Sequence, residues 1–170
     1  MQGKLQRSYR VAREIERNAL FNGQIPLGQL PNLRDLLLED AEADPVSVRF
    51  EFRRTPWGAG SIRGHLEGHL PMTCERCLQP MELTVDQDFE LLIDAREEDD
   101  ESGLEVIRSD DGWLDLYALV EEELMLGLPL IRRHDDVECN TYWKPSVDQD
   151  EAETETDNPF AALAALKGKL

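Results

Sequence analysis

Residues 46–93, VSVRFEFRRTPWGAGSIRGHLEGHLPMTCERCLQPMELTVDQDFELLI, decide the fold. Val46, Val48, Phe50 and Phe52 alternate with Ser47, Arg49, Glu51 and Arg53, which is the period of a strand with one buried face. A Thr55-Pro56-Trp57-Gly58-Ala59-Gly60 turn follows. Ile62, Leu66, Leu70 and Met72 then alternate with Arg63, His65, Glu67 and His69, and Leu83, Val85, Phe89, Leu91 and Ile93 alternate with Thr84, Asp86, Asp88 and Glu90. Three such strands in succession predict an antiparallel meander with one wet face. Gly64 and Gly68 fall on its apolar side, leaving room for a bulge or a crossing element.

Working outward, Glu105, Val106 and Ile107 suggest a short strand, and Ser109-Asp110-Asp111-Gly112 is a turn signal. Asp115 can cap a helix in which Leu116, Leu119, Val120 and Leu124 share a face. Glu121, Glu122 and Glu123 fall mostly on the other face, and Gly127 and Pro129 end the helix. On the N-terminal side, Leu5, Tyr9, Val11 and Ile15 read as a short strand, while Leu33, Leu36 and Leu37 recur at helical spacing after Pro31. The fold class is α+β: an antiparallel β meander with a packed helix, an acidic loop and a short C-terminal helix on a flexible tether. Residues 1–145 form the expected domain and residues 146–170 the linker and tail. In that tail Asn158 can cap, Pro159 suits the first helical position, and Phe160, Leu163, Ala164 and Lys167 share a face.

The formal charge of the 170 residues is −18, which argues against a surface that coats phosphate backbones throughout. Its distribution is uneven. Residues 94–101 carry a net of −5 and residues 146–157 a net of −6, both in stretches without apolar periodicity, whereas residues 1–34 carry a net of +4. The acid therefore belongs more to linkers than to the folded surface, and points to basic protein partners. The basic start has no apolar stretch of signal-peptide type behind it, and apolar runs are too short to span a bilayer, so a cytoplasmic location is expected.

Three cysteines suit a reducing compartment. Cys74 and Cys77 form a C-x-x-C between the second and third strands, and His134 and Cys139 form an H-x4-C after the main helix. Thiolates and imidazole in that set make a Cys3His zinc site if the helix returns the chain toward the hairpin. Two other readings stand beside it: a thiol redox motif, which should open a helix and here leads into a strand, and unliganded turn cysteines. Neither G-x-x-x-x-G-K-[ST] nor G-x-G-x-x-G occurs. His65 and His69 lie on the wet face without a catalytic constellation. Arg49, Arg53 and Arg63 share that face with Arg54 and Trp57 at its turn, which is the geometry of a small RNA contact. Glu51 and Glu67 dilute it, and cross-strand Arg–Glu pairing explains the same residues without RNA.

Cys74-Glu75-Arg76-Cys77-Leu78, Asp115-Leu116 opening a helix through Val120 and Leu124 to Leu128-Pro129, His134 with Cys139, and Asn158-Pro159-Phe160 together resemble the YceD family, the large ribosomal RNA subunit accumulation proteins. The resemblance runs from about Val46 to the end. It implies a non-enzymatic factor for synthesis, processing or accumulation of large-subunit ribosomal RNA, with ribosomal proteins or assembly factors as partners and RNA contact as an option. No membrane and no small-molecule substrate is implied, and Asn158, Pro159, Phe160 and Leu163 become the docking residues. The competing classes are a zinc- or thiol-dependent enzyme at the C-x-x-C and an acidic nucleic-acid mimic that binds a basic protein.

Overall fold

The computed structural model describes residues 5–38, 44–94 and 103–139. Both acidic stretches, apart from Asp94, and the tail carrying Asn158, Pro159, Phe160 and Leu163 lie outside the described residues.

The meander is present as β3 (Val46–Arg54), β4 (Gly60–Thr73) and β5 (Pro80–Ile93), paired antiparallel in that order. Phe52 faces Ile62, Val48 faces Leu66 and Phe50 faces Gly64, so the apolar residues of neighbouring strands fall on one side. Gly64 is needed there. A Cβ at this position would lie 2.5 Å from the Phe89 ring and 2.6 Å from the Arg49 carbonyl oxygen, because Phe89 of β5 lies over the glycine.

The same sheet gains a strand at each edge. β2 (Leu20–Ile25) pairs antiparallel with β3, and β6 (Val106–Ile107) pairs parallel with Leu92 and Ile93, so the sheet order is β2-β3-β4-β5-β6. The parallel edge departs from a purely antiparallel meander, and beside it the Glu105 carbonyl accepts from the Leu92 N–H at 2.8 Å. Upstream, the expected single strand is two elements, β1 (Ser8–Arg10) and α1 (Val11–Glu16). β1 pairs with β7 (Trp113–Asp115), more than a hundred residues away. Tyr9 thereby reaches the core, packing on Phe21, Phe50 and Phe52 with ring centroids 4.5–6.0 Å apart.

Helix α3 (Leu116–Gly127) buries Leu116, Leu119, Val120 and Leu124 in the core beneath the sheet. Of the two residues expected to end it, Pro129 does so and Gly127 is no left-handed cap. Gly127 does not adopt a left-handed conformation; a Cβ there would overlap the Gln87 amide, which donates to the Glu123 carbonyl at 2.7 Å. Leu128 is extended because Pro129 follows it, and that stops the helix.

Glu121 is a second correction. It is buried, and it caps another helix: Oε1 accepts from the backbone N–H groups of Asn32 and Leu33 at 2.6 and 3.1 Å, and Oε2 from the Asn32 side chain at 3.0 Å. These N–H groups open α2 (Pro31–Arg34), whose own N-cap, Leu30, has no side-chain acceptor.

At the start of α3, Asp115 Oδ1 accepts from the N–H groups of Tyr117 and Ala118, while Oδ2 pairs with Arg7 Nε at 3.1 Å. Partial burial would raise this carboxyl, but the Ala118 N–H and the Arg7 guanidinium outweigh it and hold the group below its usual range. A lowered folded-state pKa stabilises above the unfolded value, about 3.9, and that stability is lost as pH falls through the folded one. Acid titration of unfolding should therefore show a loss below about pH 4 that shrinks in Asp115→Asn, which caps without titrating. Identical acid slopes for the two chains would contradict this.

Candidate metal centre

The β4–β5 hairpin closes through Cys74-Glu75-Arg76-Cys77-Leu78-Gln79 as a tight knuckle. The Cys74 N–H donates to the Gln79 carbonyl and the Leu78 N–H to the Cys74 carbonyl, both at 2.9 Å. Leu78 takes a left-handed φ of +59°, a conformation that costs a non-glycine residue roughly 1–3 kcal/mol. Strain of that size persists only where the surroundings hold it. The holding partner is the chain after α3. The Glu75 N–H donates to the Arg132 carbonyl at 2.7 Å, the Arg132 guanidinium returns two hydrogen bonds to Glu75 Oε1, and Arg76 Nη1 donates to the Asp136 carbonyl at 2.8 Å.

These contacts deliver His134 and Cys139 to the cysteine pair. One ligand atom each from Cys74, Cys77, His134 and Cys139 lies within 4.8 Å of every other. A tetrahedral zinc with its usual bond lengths separates sulfur pairs by about 3.8 Å and a sulfur–nitrogen pair by about 3.5 Å. Cys77 Sγ and His134 Nδ1 stand 3.4 Å apart. The other imidazole nitrogen, Nε2, lies 3.1 Å from the Pro80 carbonyl oxygen. A carbonyl can only accept, so Nε2 carries the proton and Nδ1 turns a lone pair toward the thiols, the orientation a metal-ligating histidine requires.

The electrostatics divide the thiols. Burial alone would raise Cys74, but the backbone N–H groups of Cys77, His134 and Arg76, together with the Cys77 thiol, bring it down to about 6. Burial raises Cys139, and the neighbouring Cys77 and Cys74 sulfurs raise it further despite Arg76, whose Nη1 lies 3.6 Å from its Sγ. The donor set fits a metal: the Cys74 thiol is held low, and the opposition that its sulfur neighbours set against Cys139 ionising is what a shared cation relieves. The structure thus forms a Cys3His cluster competent to hold a metal ion, and the C-x-x-C opens no helix, so no helix N-terminus acts on its thiols.

The arginine face is also formed. Arg49, Arg53 and Arg63 are exposed, and with His65 they border an open depression of about 800 Å³ whose rim includes Glu51, Asp88 and Glu90. Glu51 binds both Arg53, at 3.0 Å, and Arg63 across the strands. Burial would raise the Glu51 carboxyl, yet the Arg63 and Arg53 hydrogen bonds prevail and hold it low. Arg54 folds back onto the Gly58 carbonyl at 2.9 Å, and Trp57 is half exposed at the turn. His65 pairs with Asp88 at 3.0 Å, and His69 lies 3.4 Å from Glu82.

The family model described as large ribosomal RNA subunit accumulation protein YceD matches residues 62–167, from β4 through all four cluster residues. The chain belongs to the YceD family. Among its relatives is the large ribosomal RNA subunit accumulation protein YceD of Haemophilus influenzae, 26% identical over an alignment of 166 positions that covers 92% of each chain. No solved structure matches. Among the described residues, no helix is long and apolar enough to cross a membrane.

Four residues that hold the cluster together escape a sequence reading. Glu75 and Arg132 are 57 residues apart, Pro80 contributes only its carbonyl, and Arg76 looks like a surface cation until Asp136 and Cys139 are placed beside it. The C-x-x-C and H-x4-C spacings were the available signal.

Proposed function

We propose that the chain supports accumulation of the large ribosomal RNA subunit as a non-catalytic binding factor, with one zinc ion locking the β4–β5 knuckle to the segment after α3. The observation that carries this reading is the Cys3His cluster inside the family match. Cys74, Cys77, His134 and Cys139 would hold the ion, which would supply structure alone, because four protein ligands leave no open position for water or substrate. The decisive experiment is cellular. In cells depleted of the native chain, Cys74→Ser should fail to restore the ratio of large- to small-subunit ribosomal RNA that the native sequence restores. Full restoration would contradict the reading.

RNA contact is assigned to the face of Arg49, Arg53 and Arg63, with Arg54 and Trp57 at its edge. What supports it is the three arginines that border the depression; what limits it is the carboxylates of Glu51, Asp88 and Glu90 on the same rim, Glu51 occupying two of the three arginines. Glu51→Gln should therefore strengthen binding of a single-stranded RNA oligonucleotide roughly threefold to tenfold, in a salt-dependent way, and Arg49→Ala should weaken it. An affinity indifferent to both changes would remove RNA from this face. Partner docking by Asn158, Pro159, Phe160 and Leu163 rests on their sequence spacing.

A further inference from the structure

Apart from Leu20 on β2, the most exposed aliphatic side chains of the described residues are not scattered. Leu126 is 71% exposed, Leu130 95%, Val137 77% and, on the knuckle, Leu78 73%, with Ile131 more than half exposed beside Leu130. All belong to the end of α3, the chain that follows it, and the knuckle to which that chain is hydrogen-bonded through Glu75, Arg76, Arg132 and Asp136. Solitary exposed leucines are ordinary, whereas several gathered on one rigid, cross-linked feature mark a contact surface. The charges around them have one prevailing sign. Glu75, Glu122, Asp135, Asp136 and Glu138 outnumber Arg76, Arg132 and Arg133 there, with Arg132 paired to Glu75.

We infer that this aliphatic collar around the metal knuckle docks a basic amphipathic protein segment, one that presents leucine-like side chains to the collar and lysine or arginine to its acidic rim. The inference deepens the proposed function and rests on it for the chain's being a binding factor. The collar chooses protein over nucleic acid. Phosphate backbones would meet the acidic rim, and Leu130 and Val137 offer no stacking plane for a base. The metal's part is to hold the two strands of the collar in register, so recognition is preorganised on a short segment that has no helix or sheet of its own.

The test uses the full chain and a fluorescein-labelled peptide with leucine on one face and lysine on the other, read by anisotropy. Saturable binding is expected, weakened about tenfold in Leu130→Ser/Val137→Ser. Both side chains are too exposed for that variant to threaten folding, and its charge is unchanged, so non-specific attraction to an acidic protein would survive it. Equal binding by the variant would overturn the inference. So would equal affinity for the same peptide with glutamate in place of lysine, or an RNA oligonucleotide whose binding the variant weakens instead. Self-association lost in the variant would assign the collar to a second copy. Peptide binding that emerges only in Phe160→Ser/Leu163→Ser would assign it to the chain's own tail, and either result overturns the inference. Metal content and the ribosomal RNA ratio, read on the same Leu130→Ser/Val137→Ser chain, separate loss of this surface from failure of the proposed function.

Discussion

Cys74→Ser should lower the free energy of unfolding by at least about 4 kcal/mol, the scale at which loss of a metal stands out from ordinary substitutions. The expected loss is smaller than the roughly 10–16 kcal/mol of metal-dependent finger peptides, because here the sheet and α3 have a hydrophobic core of their own. The damage should accordingly be local first. Native-state hydrogen exchange should show the Cys74, Glu75 and Leu78 amides losing protection, since their acceptors, the carbonyls of Gln79, Arg132 and Cys74, belong to the knuckle and the chain it grips. Amides of the β3–β4 ladder should fall only as far as the lowered global stability and remain the better protected. The strain at Leu78 works in the same direction, being released once the knuckle is free. Superimposable denaturation curves for the native and Cys74→Ser chains would contradict a structural metal.

Glu121→Ala should cost roughly 2–5 kcal/mol. Removing the carboxylate leaves the buried Leu33 N–H without an acceptor, at about 1–3 kcal/mol, and the part-buried Asn32 N–H at less, and opens a void against α2. Glu121→Gln is the informative companion. Its carbonyl oxygen can still take both backbone bonds, and a flip of the Asn32 amide offers the new Nε2 an acceptor, so the expected cost is only about 1 kcal/mol. Chemical denaturation of both variants tests the difference. Equal losses would show that the charge, rather than the acceptor geometry, holds α2 to α3.

The same residue shows where a sequence reading stops. Within Glu121-Glu122-Glu123, helical periodicity places all three mostly away from the apolar face, and nothing local distinguishes the one that reaches α2 across nearly ninety residues. The meander was legible because its period of two is written in adjacent residues and both faces of each strand carry it. β2 was not: Asn22-Gly23-Gln24 interrupts its apolar pattern, and Gly23 is there because a Cβ would lie 2.7 Å from the Leu5 side chain. The β1–β7 pair joins the two ends of the domain, a contact with no local signature.

The site was legible to a similar depth. The two spacings named the four residues and α3 supplied the return path, but convergence depended on Glu75 meeting Arg132 and on Pro80 fixing the imidazole. On the sheet face, the opposition of Glu51 to the arginines could be read from strand register in advance. Its double engagement, with a neighbour on its own strand and one across, could not.

Elemental analysis of the full chain, purified without chelator, bears most directly on the central claim. One zinc per chain is expected, falling to about zero in Cys74→Ser and retained in Leu130→Ser/Val137→Ser. A native chain that carries no stoichiometric metal, or that keeps it after Cys74 is replaced, would contradict the claim.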